Sequence, residues 1–336
     1  MNLQVVAKKA GVSVATVSRV VNNHPGVSDQ KVKRIRAAIK ELGFVPKTRV
    51  TRSIPSVAPK GMKYGNVAVL VLGKGHLTAT DLFVRQLDPI CHGLALHGIS
   101  PILCMGATAL NQMPPVLQKR MVDGILLFGD ADTTSGFLDE IQRYFEGMPM
   151  FWMTSHHEDA GTHVLAGNRE IGQMGASYCD QKECRRVLAV GSVMCSEVNT
   201  SRLNSFVEAA SALSMEVDVL TGGKSDDVTS SINDAIITND ERMRRADAIF
   251  FPSDRLAASA YPSMRKTRAF DSEKLPIVIS CGGAKSYLCG LDPRPVCIDM
   301  GADLIGQQAV EQVLWRIRNP GETRQFSVVI HPVLID

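Results

Sequence analysis

Residues 14–19, VATVSR, gather on one short stretch the side-chain types that read the edges of base pairs. Arg19 carries a forked guanidinium that matches O6 and N7 of guanine, while Val14 and Ala15 are small apolar groups suited to the thymine methyl. Thr16 and Ser18 add hydroxyls. With Ser28 and the lysines that follow it, Thr16 suits phosphate oxygens, contacts that give affinity and register but carry no sequence information. Val17, Val20 and Val21 recur at helical spacing and are predicted to face a core, which leaves 14, 15, 16, 18 and 19 on the solvent side. The chemistry open to such a face is non-covalent recognition of nucleic acid.

Three predicted helices must hold that face in place. Leu3 to Ala10 has apolar residues at helical spacing, and Gly11 supplies the positive φ of a tight turn. Ser13 is a good N-cap for Val14 to Val21, because its hydroxyl accepts an orphan backbone N–H. Residues 22–26, NNHPG, read as a loop. Ser28 is the expected cap of a third helix running to about Leu42, which Gly43 and Pro46 close. A short second helix behind a Gly-Val-Ser turn reads as a helix-turn-helix, whose second helix lies in the major groove. Charge agrees with this: residues 1–63 hold 13 Lys or Arg against two acids, and the remainder 24 against 32. A basic head on an acidic body is the footprint of a nucleic-acid-binding module joined to something else.

Beyond the head, KTRVTRSIPSVAPKGMK at 47–63 reads as a linker with two prolines and little apolar periodicity. From residue 64 the texture becomes α/β. GNVAVLVLG, DGILLFG and RRVLAVGS are apolar runs of the kind buried on both faces of a parallel sheet, alternating with helical stretches. Two successive βα series predict a body with two similar lobes and a ligand cleft between their strand C-terminal ends. The expected organisation is a helix-turn-helix domain at 1–46, a hinge at 47–63, and a two-lobed α/β body at 64–336. Lobe 1 is expected over about 64–160 plus 290–318, and lobe 2 over about 163–285 plus the C-terminal segment.

LQVVAKKAGVSVATVSRVVNNHPGVSDQKVKRIRAAIKELGFVP closely resembles the DNA-binding head of the LacI/GalR family of bacterial transcriptional regulators. The likeness covers the AGVS and TVSRV core with Asn22, the Val-Ser cap of helix three, and the ELGF exit. It implies that Val14 and Ala15 occupy the operator-selecting positions, that Arg19 contacts a base, and that Asn22 is a further DNA contact. It also implies parallel-sheet lobes like a type I periplasmic sugar-binding protein, a homodimer on a pseudopalindromic operator in double-stranded DNA, and a small-molecule effector of sugar type. The expected role is a dimeric repressor controlled by that effector, with an effector-independent or non-sugar-responsive regulator as the alternative.

The chain departs from the family in places. The hinge leucine that wedges into a minor-groove step is replaced by Ser53, with Ile54 next and Pro55 after it. Basic contacts from Arg49 and Arg52 are the expectation there, against a plain flexible tether. An Asp-Asn pair that opens the second lobe is Gly167-Asn168 here, and a Gly-Phe-Asp-like segment is replaced by CGGAKS. Arg202 matches the effector-contacting arginine and Asp254 an acid at a strand end, each with a structural role as the competing reading. Asp81 falls where cleft residues of the first lobe lie. Phe128 and Trp152 end two strands, so each ring either stacks on a ligand or packs in the core.

Other functions find less support. Eight cysteines are scattered without a Cys-x-x-Cys pair, and the even spacing of 281, 289 and 297 reads as coincidence among reduced, mostly buried thiols. No catalytic phosphate loop or nucleophile elbow follows a strand, and SHHED at 155–159 is a weak metal signal. Neither catalysis, nor a metal, nor a cofactor is expected. A plain solute-binding protein would leave the basic head unexplained. The N-terminus lacks the apolar core of a secretory leader, so the chain is expected in the cytoplasm, at the nucleoid.

Overall fold

The computed structural model describes residues 3–21, 27–42, 61–73, 81–129, 135–153, 162–192, 196–224, 227–271 and 275–335. The chain divides into two compact units, Met1–Ile54 and Pro55–Asp336.

In the first unit, α1 (Leu3–Ala10), α2 (Val14–Val21) and α3 (Asp29–Glu41) surround one small core. Val6, Ala7, Ala10, Val17, Val20, Ile35 and Ala38 are buried in it. Gly11 turns the chain at φ +63°, and the Ser13 hydroxyl accepts the Thr16 N–H at 3.2 Å to start α2. Arg34 of α3 donates to the carbonyls of Ala10 and Gly11, which satisfies groups that the end of α1 leaves open. Ser28 occupies the N-cap of α3 with extended backbone and accepts the Val32 N–H through its carbonyl, but its side chain makes no cap bond. The expected hydroxyl cap is therefore not formed, and the carbonyl makes only the ordinary first bond of the helix.

The second unit carries two six-stranded sheets. The first is built from β1 (Asn66–Leu72), β2 (Ser100–Ala107), β3 (Gly124–Phe128), β4 (Met150–Trp152), β5 (Thr162–Ala166) and β11 (Ser327–Ile330), in the order β11-β5-β4-β3-β1-β2, all parallel. The second contains β6 (Arg186–Ser192), β7 (Glu216–Gly222), β8 (Ala248–Phe250), β9 (Ile277–Gly282), β10 (Val296–Asp299) and β12 (Val333–Ile335), in the order β12-β10-β9-β8-β6-β7. Only β12 runs antiparallel there. Strands buried on both faces explain the apolar runs: Val67, Val69 and Val71 feed one core layer, and Ala68, Leu70 and Leu72 the other.

Helices cover the faces. In the first lobe these are α4 (Asp81–Leu96), α5 (Pro115–Gln118), α6 (Ser135–Tyr144) and α13 (Ala302–Arg318). In the second they are α7 (Asn168–Gln181), α8 (Glu197–Ala212), α9 (Val228–Thr238), α10 (Asp240–Arg245), α11 (Asp254–Lys266) and α12 (Lys285–Leu288). The chain passes between lobes after β5, after β10 and between β11 and β12. This differs from the expected division at three strands. β10 pairs with β9, Cys297 opposite Ser280, and so joins the second sheet. β5 and β11 pair with each other in the first sheet. The helix after β10 returns to the first lobe, where Ile305, Ala309, Val313 and Ile317 are buried. A strand apolar on both faces fits either sheet, so hydropathy alone does not sort these three. Among the described residues no helix is long and apolar enough to cross a membrane.

Candidate nucleic-acid interface and inter-lobe site

Helix α2 divides its residues cleanly. Val17 is wholly buried and Val20 nearly so, whereas Val14 is 41% exposed. Ala15 and Arg19 are exposed, and Thr16 and Ser18 are half-buried at the margin. The five side chains singled out for DNA thus lie off the core side of one helix. The Thr16 hydroxyl shares a 2.8 Å hydrogen bond with that of Ser13, which steadies the start of the helix. Ser28 is exposed, with no cap bond drawing its hydroxyl inward. Asn22, Arg49, Arg52 and the Ser53-Ile54 hinge positions lie outside the described residues, as does SHHED at 155–159. Among the described residues no group of three or more His, Cys, Asp or Glu could hold a metal ion.

In the body, Asn168, Arg202 and Asp254 come together, Asp81 reaches the segment after β9 separately through Ser286, and Phe128 and Trp152 do not join them. Arg202 is only 3% exposed. Its Nε donates to Asn168 Oδ1 at 2.8 Å, Nη1 to the Pro252 carbonyl at 3.0 Å, and Nη2 reaches Met300 Sδ at 4.0 Å. Asn168 is the first residue of α7, and Arg202 lies in α8. The two helices approach closely because Gly172 has no side chain: a Cβ there would sit 2.5 Å from the Arg202 carbonyl oxygen. Burial lowers the pKa of Arg202, and Asp254 opposes this through space.

Asp254 opens α11 and is 2% exposed. Its Oδ2 accepts the Ala284 N–H at 2.7 Å, and the Cys297 thiol approaches Oδ1 at 3.5 Å. Burial raises the pKa of its carboxyl, with the Ala284 N–H pulling the other way. Burial also pushes the Cys297 thiol up to about 12. Asp254 therefore ties the start of α11 to the turn after β9.

Asp81, at the start of α4, accepts the Ser286 hydroxyl at 2.9 Å through Oδ1. Its Oδ2 is buried with no hydrogen-bond partner among the described residues. One turn along α4, Arg85 donates to the Gly282 carbonyl at 3.2 Å and pairs with Asp303 at 3.0 Å and Asp299 at 3.5 Å. Gly283, at φ +82°, allows this: a Cβ there would fall 2.3 Å from Asp299 Oδ1 and 2.9 Å from Arg85 Nη1. Arg85, Ser286, Asp299 and Met300 escaped the sequence reading. Arg85 and Asp299 lie 214 positions apart, and nothing in local spacing announces such a pair.

The two rings are core residues. Phe128 is fully buried and meets Phe83 edge-on at 5.1 Å between ring centres. Trp152 is 1% exposed among Leu70, Leu127 and Ile141, with no partner for its Nε1 among the described residues. Strand alternation turns each ring into a layer beneath the sheet, which is the core-packing alternative of the sequence reading.

Residues 2–47 match the family described as bacterial regulatory proteins, lacI family. The HTH-type transcriptional regulator CelR of Thermobifida fusca is 25% identical over 96% of this chain and 93% of its own length. A solved CelR–cellobiose complex matches the fold with a TM-score of 0.64 at 21% identity, covering 100% of this chain and 98% of the other. The lac repressor dimer bound to operator and the anti-inducer ONPF does so with a TM-score of 0.66 at 17% identity and the same coverage. With a lacI-family head at residues 2–47 and a likeness to transcriptional regulators along nearly its whole length, the chain is a DNA-binding transcriptional regulator.

Proposed function

We propose that the chain acts as a dimeric repressor that reads a pseudopalindromic operator through α2 and is controlled by a small carbohydrate-like effector between its lobes. Val14, Ala15 and Arg19 contact base edges; Thr16, Ser18, Asn22 and Ser28 contact the backbone; Arg49 and Arg52 add hinge contacts. One short helix reads only a few base pairs, so two-fold symmetry and paired half-sites follow. The exposed face of α2 opposite buried Val17 and Val20 is the observation that carries this reading. The solved relatives supply the rest of its support, one bound to operator as a dimer and one to cellobiose.

Asp81, Asn168 and Arg202 are the proposed effector contacts, and Asp254 positions them from behind. The effector acts by binding one arrangement of the lobes better than the other. A coupling of about 1–3 kcal/mol changes operator affinity roughly 5- to 150-fold. The setting is the cytoplasm, at the nucleoid. Footprinting on genomic fragments tests the proposal: protection of an inverted repeat is expected, and protection without sequence preference refutes it.

A further inference from the structure

Charge is distributed differently along the matching edges of the two sheets. The six strands of the first lobe run parallel, so the segments that lead into them gather at one edge, with the last turns of α4, α5, α6 and α13. The tether from the first unit joins the body at this edge. Asp123 there accepts the N–H groups of Lys63, Tyr64 and Asn66, and a Cβ on Gly61 would sit 2.9 Å from the Ile317 carbonyl oxygen of α13. Residues 61–65, 93–99, 115–123, 141–149 and 315–326 form the edge and hold seven Lys or Arg against three acids, within a body whose acids outnumber its bases.

Lys63, Lys119, Arg120, Arg143 and Arg318 are exposed along it. Among the described residues of this edge, only Arg324 makes an ion pair, with Glu322. Arg316 is spent on the carbonyls of Glu322 and Arg324. At the matching edge of the second lobe, by contrast, Arg242 pairs with Asp218, Arg244 with Asp240 and Arg245 with Glu241. Cations left side by side repel one another, and the fold gains nothing from leaving one edge positive when the other neutralises itself. A polyanion does gain, because each phosphate met by Lys or Arg releases counterions. Six strands about 4.8 Å apart make an edge roughly 25 Å long, enough to follow several phosphates of a duplex.

We propose that this edge of the first lobe is a second DNA-contacting surface, which lies along the phosphate backbone of the duplex that the head binds. This rests on the reading of the chain as an operator binder, and adds to it a contact by the body that has no base preference.

The test neutralises exposed cations on each edge separately. One variant carries Lys119→Gln, Arg143→Gln and Arg318→Gln. The control carries Lys182→Gln, Arg245→Gln and Lys266→Gln on the second lobe, the same change in net charge. Duplex binding by the full chain is titrated across salt. The first variant is expected to bind at least about tenfold more weakly near ~100 mM salt, with the slope of log affinity against log salt shallower by about 2 to 5. Its ranking of operator variants stays that of the parent, because phosphate contacts carry no base information. The control matches the parent, as does the charge-keeping set Lys119→Arg, Arg143→Lys and Arg318→Lys. Tm is unchanged throughout, since every substituted side chain is exposed.

A first variant that binds as the parent does, or a control that loses as much, overturns the proposal. So does a charge-keeping set as weak as the neutral one, which marks a packing effect. If the parent protects no inverted repeat, the operator reading fails instead, and the same comparison on a random duplex still decides the edge.

Discussion

Arg19 and Arg202 carry the same guanidinium into opposite surroundings, one exposed on α2 and one buried beneath the lobe crossings. For Arg19 solvent is the resting partner and a base edge the proposed one. Arg19→Ala should cost about 1–3 kcal/mol at one base position in each half-site and relax selection there. Selection of operator variants by the parent and mutant checks this, and unchanged preference at every position would remove Arg19 from the base-reading set.

Asp254 makes a prediction of opposite character. Burial holds its pKa in the folded chain above that of the unfolded chain, with Arg202, Cys281 and Cys297 as its titratable neighbours. Its favourable contribution is therefore complete below the unfolded pKa and is lost as pH rises through the folded one. Asp254→Asn keeps an oxygen for the Ala284 N–H and carries no charge. Urea unfolding should find it at least as stable as the parent at neutral pH, with the difference closing as pH falls through the raised pKa.

At the scale of elements, the head was legible because its signals are local. Gly11, Ser13 and the valines of α2 fix turn, cap and buried face within a dozen residues. The third helix ends at Glu41 with Leu42 as its C-cap, close to the expected Leu42, though the Ser28 hydroxyl makes no cap bond. A head this small has a thin core. Ile35→Ala, at a wholly buried site, should cost about 2–5 kcal/mol. The expected result is loss of operator binding while the melting transition of the α/β body stays where it was. A body transition that shifts with it would show that the two units do not unfold separately.

For the whole molecule, the excess of basic residues in the first 63 positions governs how binding responds to salt. Two heads making about 6–10 phosphate contacts should lose roughly 10³- to 10⁵-fold in operator affinity between about 50 and 200 mM salt. Titrations along that range check the figure, and a nearly flat dependence would mean that the basic head does not track the phosphate backbone. Cooperative protection of both half-sites in the same titration reports the dimer.

The sequence by itself determined the helix-turn-helix, the solvent-facing residues of α2 and the alternation of strands and helices, because each depends on periodicity and capping over a few turns of chain. It also placed Asn168, Arg202, Asp254 and Asp81 as candidates, through a resemblance that runs along the chain. Only the tertiary structure decided which sheet each crossing strand joins, since a strand apolar on both faces satisfies either. It decided that Phe128 and Trp152 pack inward, that Arg85 grips Asp299 and Asp303, and that Arg202 donates to Asn168 and the Pro252 carbonyl. Those outcomes hang on contacts between residues far apart in the chain, where desolvation and close packing choose partners that spacing does not encode.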